Sequence, residues 1–193
     1  LGGAVVELAA ILADSGSPPR ILDLGTGGGN LAVSIASLEP RSAVWASDVE
    51  AEAVEIARRN AAFRGVTDRV EFGCGDLFAA LGEMPTAPSL FDIVVCNPPY
   101  MPSQKARSLP VEIGGHEPTA AFDGGDVGLT VLYALIDQAP GHLVPGGWLC
   151  FELGAGMGRV VERNLARRGA YDEVRTITDE DGITRAIITR TLA

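Results

Sequence analysis

Asn97-Pro98-Pro99-Tyr100 follows directly on the apolar run Phe91-Asp92-Ile93-Val94-Val95-Cys96. A run of this length, rich in β-branched residues and closed by Asn-Pro, reads as a buried strand that stops at a rigid turn. Beyond it the tetrapeptide offers a side-chain amide, the Pro98 backbone carbonyl and an aromatic face. A planar –NH2 group is captured by such parts: acceptors for its two hydrogens and a ring against its plane. Asn97, Pro98, Pro99 and Tyr100 are therefore the candidate catalytic residues, for transfer of a group onto an amide or amino nitrogen.

The donor of that group is read from Asp23-Leu24-Gly25-Thr26-Gly27-Gly28-Gly29-Asn30. A strand ending here and opening a helix lets a ligand approach the backbone closely at Gly25, Thr26, Gly27, Gly28 and Gly29. A dinucleotide fingerprint requires glycine at the last position of its spacing, where Asn30 stands. Asp23 would oppose a pyrophosphate but can steady a cationic amino acid, acting through water. S-Adenosyl-L-methionine carries both a sulfonium and an ammonium, so this acid-lined cradle suits it. Asp48, about 20 residues further on, lies where a carboxylate accepts ribose hydroxyls. Asp76 and Leu77 fit the adenine, with a carboxylate for the exocyclic amine and an apolar neighbour for the ring. Asn97 would lie beside the methionine moiety. Plainer roles compete with these: Asp48 as a cap for the helix that follows, and Gly73 to Asp76 as a simple turn. A nicotinamide enzyme is a rival reading, disfavoured by Asn30 and Asp23.

Strands and helices alternate in the order that brings these motifs to one sheet edge. An opening helix ends at Ala13. Strands are expected at Arg20–Leu24, Ala43–Ser47, Val70–Phe72, Phe91–Cys96 and Trp148–Leu153. Helices are expected at Asn30–Leu38, Ala51–Arg64, Val127–Ala139 and Gly158–Arg168. Val174–Thr178 and Thr184–Thr191, joined by Asp179 to Gly182, read as a terminal antiparallel hairpin. The expected architecture is a seven-stranded Rossmann-like α/β sheet, mostly parallel, with helices on both faces, in a single domain over residues 1–193. Pro102 to Gly125 has no period and leaves directly from Tyr100, so it reads as a substrate-facing loop or lid. His116 within it reads as a solvated or packing residue rather than a base, and Glu117 as a residue that orders the loop. Tyr133 and Trp148 read as core.

The formal net charge of −10 opposes binding to a phosphate backbone. Arg58-Arg59 and Arg167-Arg168 read as solvated helix faces. No apolar stretch is long enough to span a bilayer, and Leu1 to Glu7 carry no basic region of the signal-peptide type. Cys74, Cys96 and Cys150 are expected to be buried, reduced thiols of a cytoplasmic protein. No metal site is expected, since no C-x2-C spacing exists and there are only two histidines.

Taken together, these residues resemble class I S-adenosylmethionine-dependent methyltransferases, and more narrowly the HemK family. The resemblance extends through Gly75-Asp76-Leu77-Phe78, Glu117-Pro118, Gly124-Gly125, Gly128-Leu129, Pro145-Gly146-Gly147 and Glu152-Leu153-Gly154. It implies methylation of a glutamine side chain at N5, with a peptide-chain release factor as protein partner. The Asn-Pro-Pro-Tyr tetrapeptide alone is shared with adenine-N6 methyltransferases of DNA and RNA, which remain an alternative, as does N-methylation of a small-molecule amide or amine. A non-catalytic subunit that keeps the cofactor pocket for stability is a further alternative. The family usually carries a Pro-Arg-Pro-Glu-Thr-Glu-like segment before the opening helix, where this sequence has Leu1-Gly2-Gly3. It also usually carries a helical N-terminal domain, which this sequence lacks. Oligomeric state is not legible.

Overall fold

In the computed structural model, which describes residues 1–100 and 128–193, the Phe91–Cys96 run forms a central strand because both of its faces are covered. The elements in chain order are α1 (Gly2–Ala13), β1 (Arg20–Leu24), α2 (Asn30–Leu38), β2 (Ala43–Asp48), α3 (Ala51–Arg64) and β3 (Val70–Cys74). A 3-10 helix (Leu77–Glu83), β4 (Phe91–Cys96), α4 (Thr130–Gln138), β5 (Leu143–Glu152), α5 (Gly158–Arg168), β6 (Tyr171–Thr178) and β7 (Thr184–Thr191) complete the series. The seven strands lie in the order β3-β2-β1-β4-β5-β7-β6. The pairings from β3 across to β5 are all parallel, and β7 inserts antiparallel between β5 and β6. This is the mostly parallel sheet with an antiparallel C-terminal hairpin that the sequence predicts.

Alternation along the buried strands feeds two cores, one on each face. Ile21, Val44, Ile93 and Val95 face α1, α2 and α3. Leu22, Leu24, Val94 and Phe151 face the 3-10 helix, α4 and α5. Asp92 is the one charge within the β4 run. Burial works to raise its carboxyl, but Arg20 donates to it from its backbone N–H and its guanidinium at 2.8–3.0 Å and holds it below the usual range. That pair ties β1 to β4 near their amino-terminal ends and leaves the carboxyl ends free for the site.

Several boundaries differ from those expected. β5 starts at Leu143 rather than Trp148, because Pro145-Gly146-Gly147 is absorbed into the strand as an irregularity rather than ending it. The register with β4 slips there, pairing Phe91 with Leu143 but Ile93 with Trp148. β6 starts at Tyr171 rather than Val174, its edge position tolerating the charged residues Asp172 and Glu173. The Leu77–Glu83 helix has no counterpart in the sequence reading; Gly73 and Gly75 admit it, since a Cβ on either would stand 2.8 Å from Met84 or Ala80. Cys74 is exposed, unlike Cys96 and Cys150; it is the last residue of β3, where the sheet no longer covers it. Arg168 is not a freely solvated residue. It pairs with Asp137 at 2.7 Å, binds Asn164 and lies over the Tyr133 ring, clamping α5 to α4. The 102–125 loop, with His116, Glu117-Pro118 and Gly124-Gly125, lies outside the described residues, as does Val127.

Candidate functional site

The strand register gathers the candidate residues at one edge. Leu24 is level with Ser47 on one side and Cys96 on the other, and Asp48 is level with Cys74. The segments after β1, β2, β3 and β4 therefore leave the sheet side by side. β1 also marks where the chain's order reverses, running outward through β2 and β3 on one side and β4 and β5 on the other. Open α/β sheets bind ligands at that reversal, beyond the carboxyl ends of the strands.

The Gly25–Gly29 loop is held in shape from three directions. Gly25, Gly27 and Gly29 have φ of 69°, 54° and 84°, a region that favours glycine. Asp23 is fully buried and its Oδ2 accepts from the Thr26 hydroxyl at 2.6 Å and from the Ala32 N–H at 3.1 Å. Thr26 thus points inward, as a strut. Asp48 accepts from the Gly27 N–H at 2.8 Å and from the Glu50 N–H at 3.0 Å. It does not cap α3, whose first turn is preceded by Glu50 without a side-chain cap. From α3, Asn60 donates to the Gly28 carbonyl at 2.8 Å. Gly29 packs so closely on α3 that a Cβ there would stand 3.0 Å from that of Ala57.

The electrostatics are set by Asp23. Burial raises its carboxyl to about 7, against the bonds from Thr26 and Ala32 that favour the charged form, with the negative charge of Asp48 adding to the rise. Its Oδ1 is buried and has no partner among the described residues, and neither has the buried Ser47 hydroxyl at the end of β2. The unpartnered Asp23 oxygen is where a cationic ligand group fits, whereas Ser47, level with Leu24 and not with Asp23, faces the other side of the sheet. Cys96, beneath Asn97, is kept a neutral thiol by burial and by Asp23 and Asp48, so it is a wall of the site and not a nucleophile.

Asp76 is exposed and precedes the 3-10 helix, and Leu77 is half-buried. Leu77 has φ of 44°, and it alone among the described non-glycine residues has a positive φ. An apolar side chain held in that region costs on the order of 1–2 kcal/mol. On the other flank Asn97 is exposed, Pro98 is buried, and Pro99 and Tyr100 are half-buried. Among the described residues no side chain bonds the Asn97 amide. Tyr100 runs between Gly128 and Gly154, where a Cβ would stand 2.3 Å from its carbonyl oxygen and 3.2 Å from its ring respectively.

The structure thus brings Asp23, Gly25–Gly29, Asp48, Asp76, Leu77 and Asn97–Tyr100 to the same sheet edge. Sequence reasoning missed Asn60, which holds the glycine loop from α3. Asn60 had a legible signal in the small residues Ala53, Ala57 and Ala61 around it, which mark the α3 face that meets the glycine loop. A separate groove of about 390 Å³ runs between α2 and α3 along Ser34, Asn60, Phe63 and Arg64; its lining includes Gly28 and Gly29 but no site carboxylate.

The family model described as "Methyltransferase small domain" matches residues 7–112. A release factor glutamine methyltransferase of Gloeobacter violaceus is 40% identical over 186 residues, covering 96% of this chain and 63% of that protein. A ribosomal protein uL3 glutamine methyltransferase of Bradyrhizobium diazoefficiens is 42% identical over 137 residues, covering 71% of this chain and 41% of that protein. The chain spans less than two thirds of either relative. Among solved structures, a ribosomal protein L11 methylase from Lactobacillus delbrueckii subsp. bulgaricus superposes with a TM-score of 0.64 at 19% identity, covering 97% of this chain and 77% of that one. That likeness is one of fold.

Proposed function

This chain belongs to the methyltransferase small domain family, and we propose that it methylates a glutamine side-chain amide using S-adenosyl-L-methionine. The observation that carries this reading is the meeting, at one sheet edge, of a buried carboxylate oxygen on Asp23 with an exposed Asn97 amide, neither of them bonded by a side chain among the described residues. The acceptor we assign is a protein of the translation machinery, specifically N5 of a glutamine in a peptide-chain release factor. The names of the relatives, release factor and ribosomal protein uL3 glutamine methyltransferases, support the acceptor class. Residues 1–193 would act as one transfer domain, and a translation factor as acceptor would place it in the cytoplasm. No described helix is long and apolar enough to cross a membrane.

Bound, the cofactor supplies a methyl carbon made electrophilic by a positive sulfur. In this reading the residues of the chain bind and aim. Asp23 acts through water on the ammonium, Asp48 faces the ribose hydroxyls with the lone pairs that Gly27 and Glu50 leave free, and Asp76 and Leu77 face the adenine. The glycine loop lets the backbone come close. An amide nitrogen is a poor nucleophile because its lone pair is shared with the carbonyl. Asn97 Oδ1 and the Pro98 carbonyl accept its two hydrogens, which pushes electron density onto nitrogen and turns its lone pair toward the methyl. Tyr100 packs on the plane of the amide. The nitrogen held by Asn97 and Pro98 would take up the methyl group, the electron pair of the bond given up staying with the donor, and would become positively charged. The proton leaves afterwards, when nitrogen is cationic and acidic, so no general base is required. A water-poor pocket around the held amide would favour the transfer.

Calorimetric titration checks the cofactor half of this reading. S-Adenosylhomocysteine should saturate one site, whereas NADH should not bind; the opposite pattern would overturn it. Leu77→Gly should weaken S-adenosylhomocysteine about tenfold, the loss of roughly 1.5 kcal/mol of apolar contact. Thermal stability should hardly move, because relief of the positive-φ strain offsets the packing that is lost. Unchanged affinity would remove Leu77 from the adenine site.

A further inference from the structure

Tyr100 is seated by three residues to which the sequence gives no task. Gly128 has φ of 73°, and a Cβ there would stand 2.3 Å from the Tyr100 carbonyl oxygen and 3.0 Å from Met157 Cε. Gly154 lies two residues beyond β5. A Cβ there would stand 3.2 Å from Tyr100 Cδ2 and 3.2 Å from both Sδ and Cε of Met157. Met157 is turned back toward both glycines, its N–H donating to the Gly154 carbonyl at 3.2 Å, and its side chain is half-buried against the α4–α5 core. The backbone of Tyr100 is therefore hemmed in by Gly128 and its ring edge by Gly154, with a polarizable thioether filling the space behind.

We infer that Gly128, Gly154 and Met157 form a seat that fixes Tyr100 and thereby decides which acceptors the site takes. The inference rests on the methyl-transfer reading above. A ring confined at its backbone and at one edge swings aside less readily, which would keep the space between Tyr100 and Asn97 suited to a planar amide. The glycines are needed for space: contacts of 3.0–3.2 Å leave none for a methyl group unless a neighbour moves by a few tenths of an ångström. The neighbours able to move are Tyr100 and Met157. Met157 is a positioning residue here, acting on the acceptor through Tyr100.

The test is Gly154→Ala, alone and combined with Met157→Ala, in the protein labelled with 3-fluorotyrosine. The chain has three tyrosines, and Tyr100→Phe assigns the fluorine resonance of Tyr100 against those of Tyr133 and Tyr171. Gly154→Ala should move the Tyr100 resonance and leave the other two in place. It should also lower kcat/KM for a release factor or a Gly-Gly-Gln peptide about tenfold, as a displacement well under an ångström does. Affinity for S-adenosylhomocysteine should stay within about twofold, because the lost interaction is on the acceptor side. Adding Met157→Ala removes a second wall of the seat and should restore neither the resonance nor the acceptor kinetics; recovery of both would refute the part given to Met157. An unmoved Tyr100 resonance would refute the seat. A moved resonance with unchanged acceptor kinetics, or an equal loss of cofactor affinity, would refute its role in acceptor choice. Should the unmodified chain methylate neither acceptor, the functional reading falls and the acceptor half of the inference falls with it, while the fluorine spectrum still decides the seat.

Discussion

Replacing Asn97 with alanine should lower methyl transfer by about two orders of magnitude or more, the usual consequence of removing an oriented polar group from a reacting centre. The side chain is exposed and makes no bond to the described residues, so the melting temperature should stay where it is. That separation matters, because a loss of turnover with an intact fold isolates the chemistry. Affinity for S-adenosylhomocysteine is expected to weaken far less than turnover falls, since in the proposed function Asn97 would lie beside the methionine end of the cofactor and act mainly on the acceptor. Single-turnover transfer measured beside cofactor titration distinguishes the two. Undiminished turnover would remove Asn97 from the mechanism.

The second large effect is one of pH. The Asp23 carboxyl is raised by burial to about 7, well above the value of about 3.9 that it has in an unfolded chain. Between those values the folded chain holds a proton that the unfolded chain has released. The contribution of Asp23 to stability is therefore fully present below about pH 4 and is lost as pH rises through 7, an effect on the order of 4 kcal/mol. Asp23→Asn should flatten that slope in denaturant titrations between pH 4 and 7. A bound ammonium group favours the charged carboxylate and reverses the preference. Cofactor binding below pH 7 should therefore release a proton, and affinity should fall by up to about tenfold for each pH unit below 7. Calorimetry in buffers of different ionisation enthalpy reads that proton directly. Affinity independent of pH between 5 and 7 would show that Asp23 is not the ammonium partner.

Much of this architecture is legible in the sequence because the strands of a sheet covered on both faces read as unbroken apolar runs. The Phe91–Cys96 run, closed by Asn97-Pro98, gives the strand and its end together, and the structure places both there. Asp23 and Asp48 are legible as acids at strand ends. What is not legible is how much of their capacity the protein itself consumes: Asp23 holds Thr26 and Ala32, and Asp48 holds Gly27 and Glu50. Such bonds depend on which loop folds back on which strand, and no local pattern encodes that. The register slip at Pro145-Gly146-Gly147 reads as a turn for a similar reason. Glycine and proline mark a break in the pairing, and only the neighbouring strand decides whether the chain reverses or continues. The pairing of Arg168 in a clamp between α4 and α5 is likewise a tertiary fact, since a basic pair on a helix has the same sequence whether it is solvated or paired. The seat of Tyr100 is invisible for a stronger reason: Gly128, Gly154 and Met157 are separated in the chain from the residue they hold, and meet it only when β5 pairs with β4.

The destination of the methyl group decides between a glutamine amide and any other acceptor. Incubating the chain with methyl-labelled S-adenosylmethionine and a release factor, followed by peptide mass spectrometry, should find a single label on the side-chain amide of the glutamine in a Gly-Gly-Gln loop. Label on an adenine of added nucleic acid, or on no acceptor while the cofactor binds normally, would contradict the glutamine assignment.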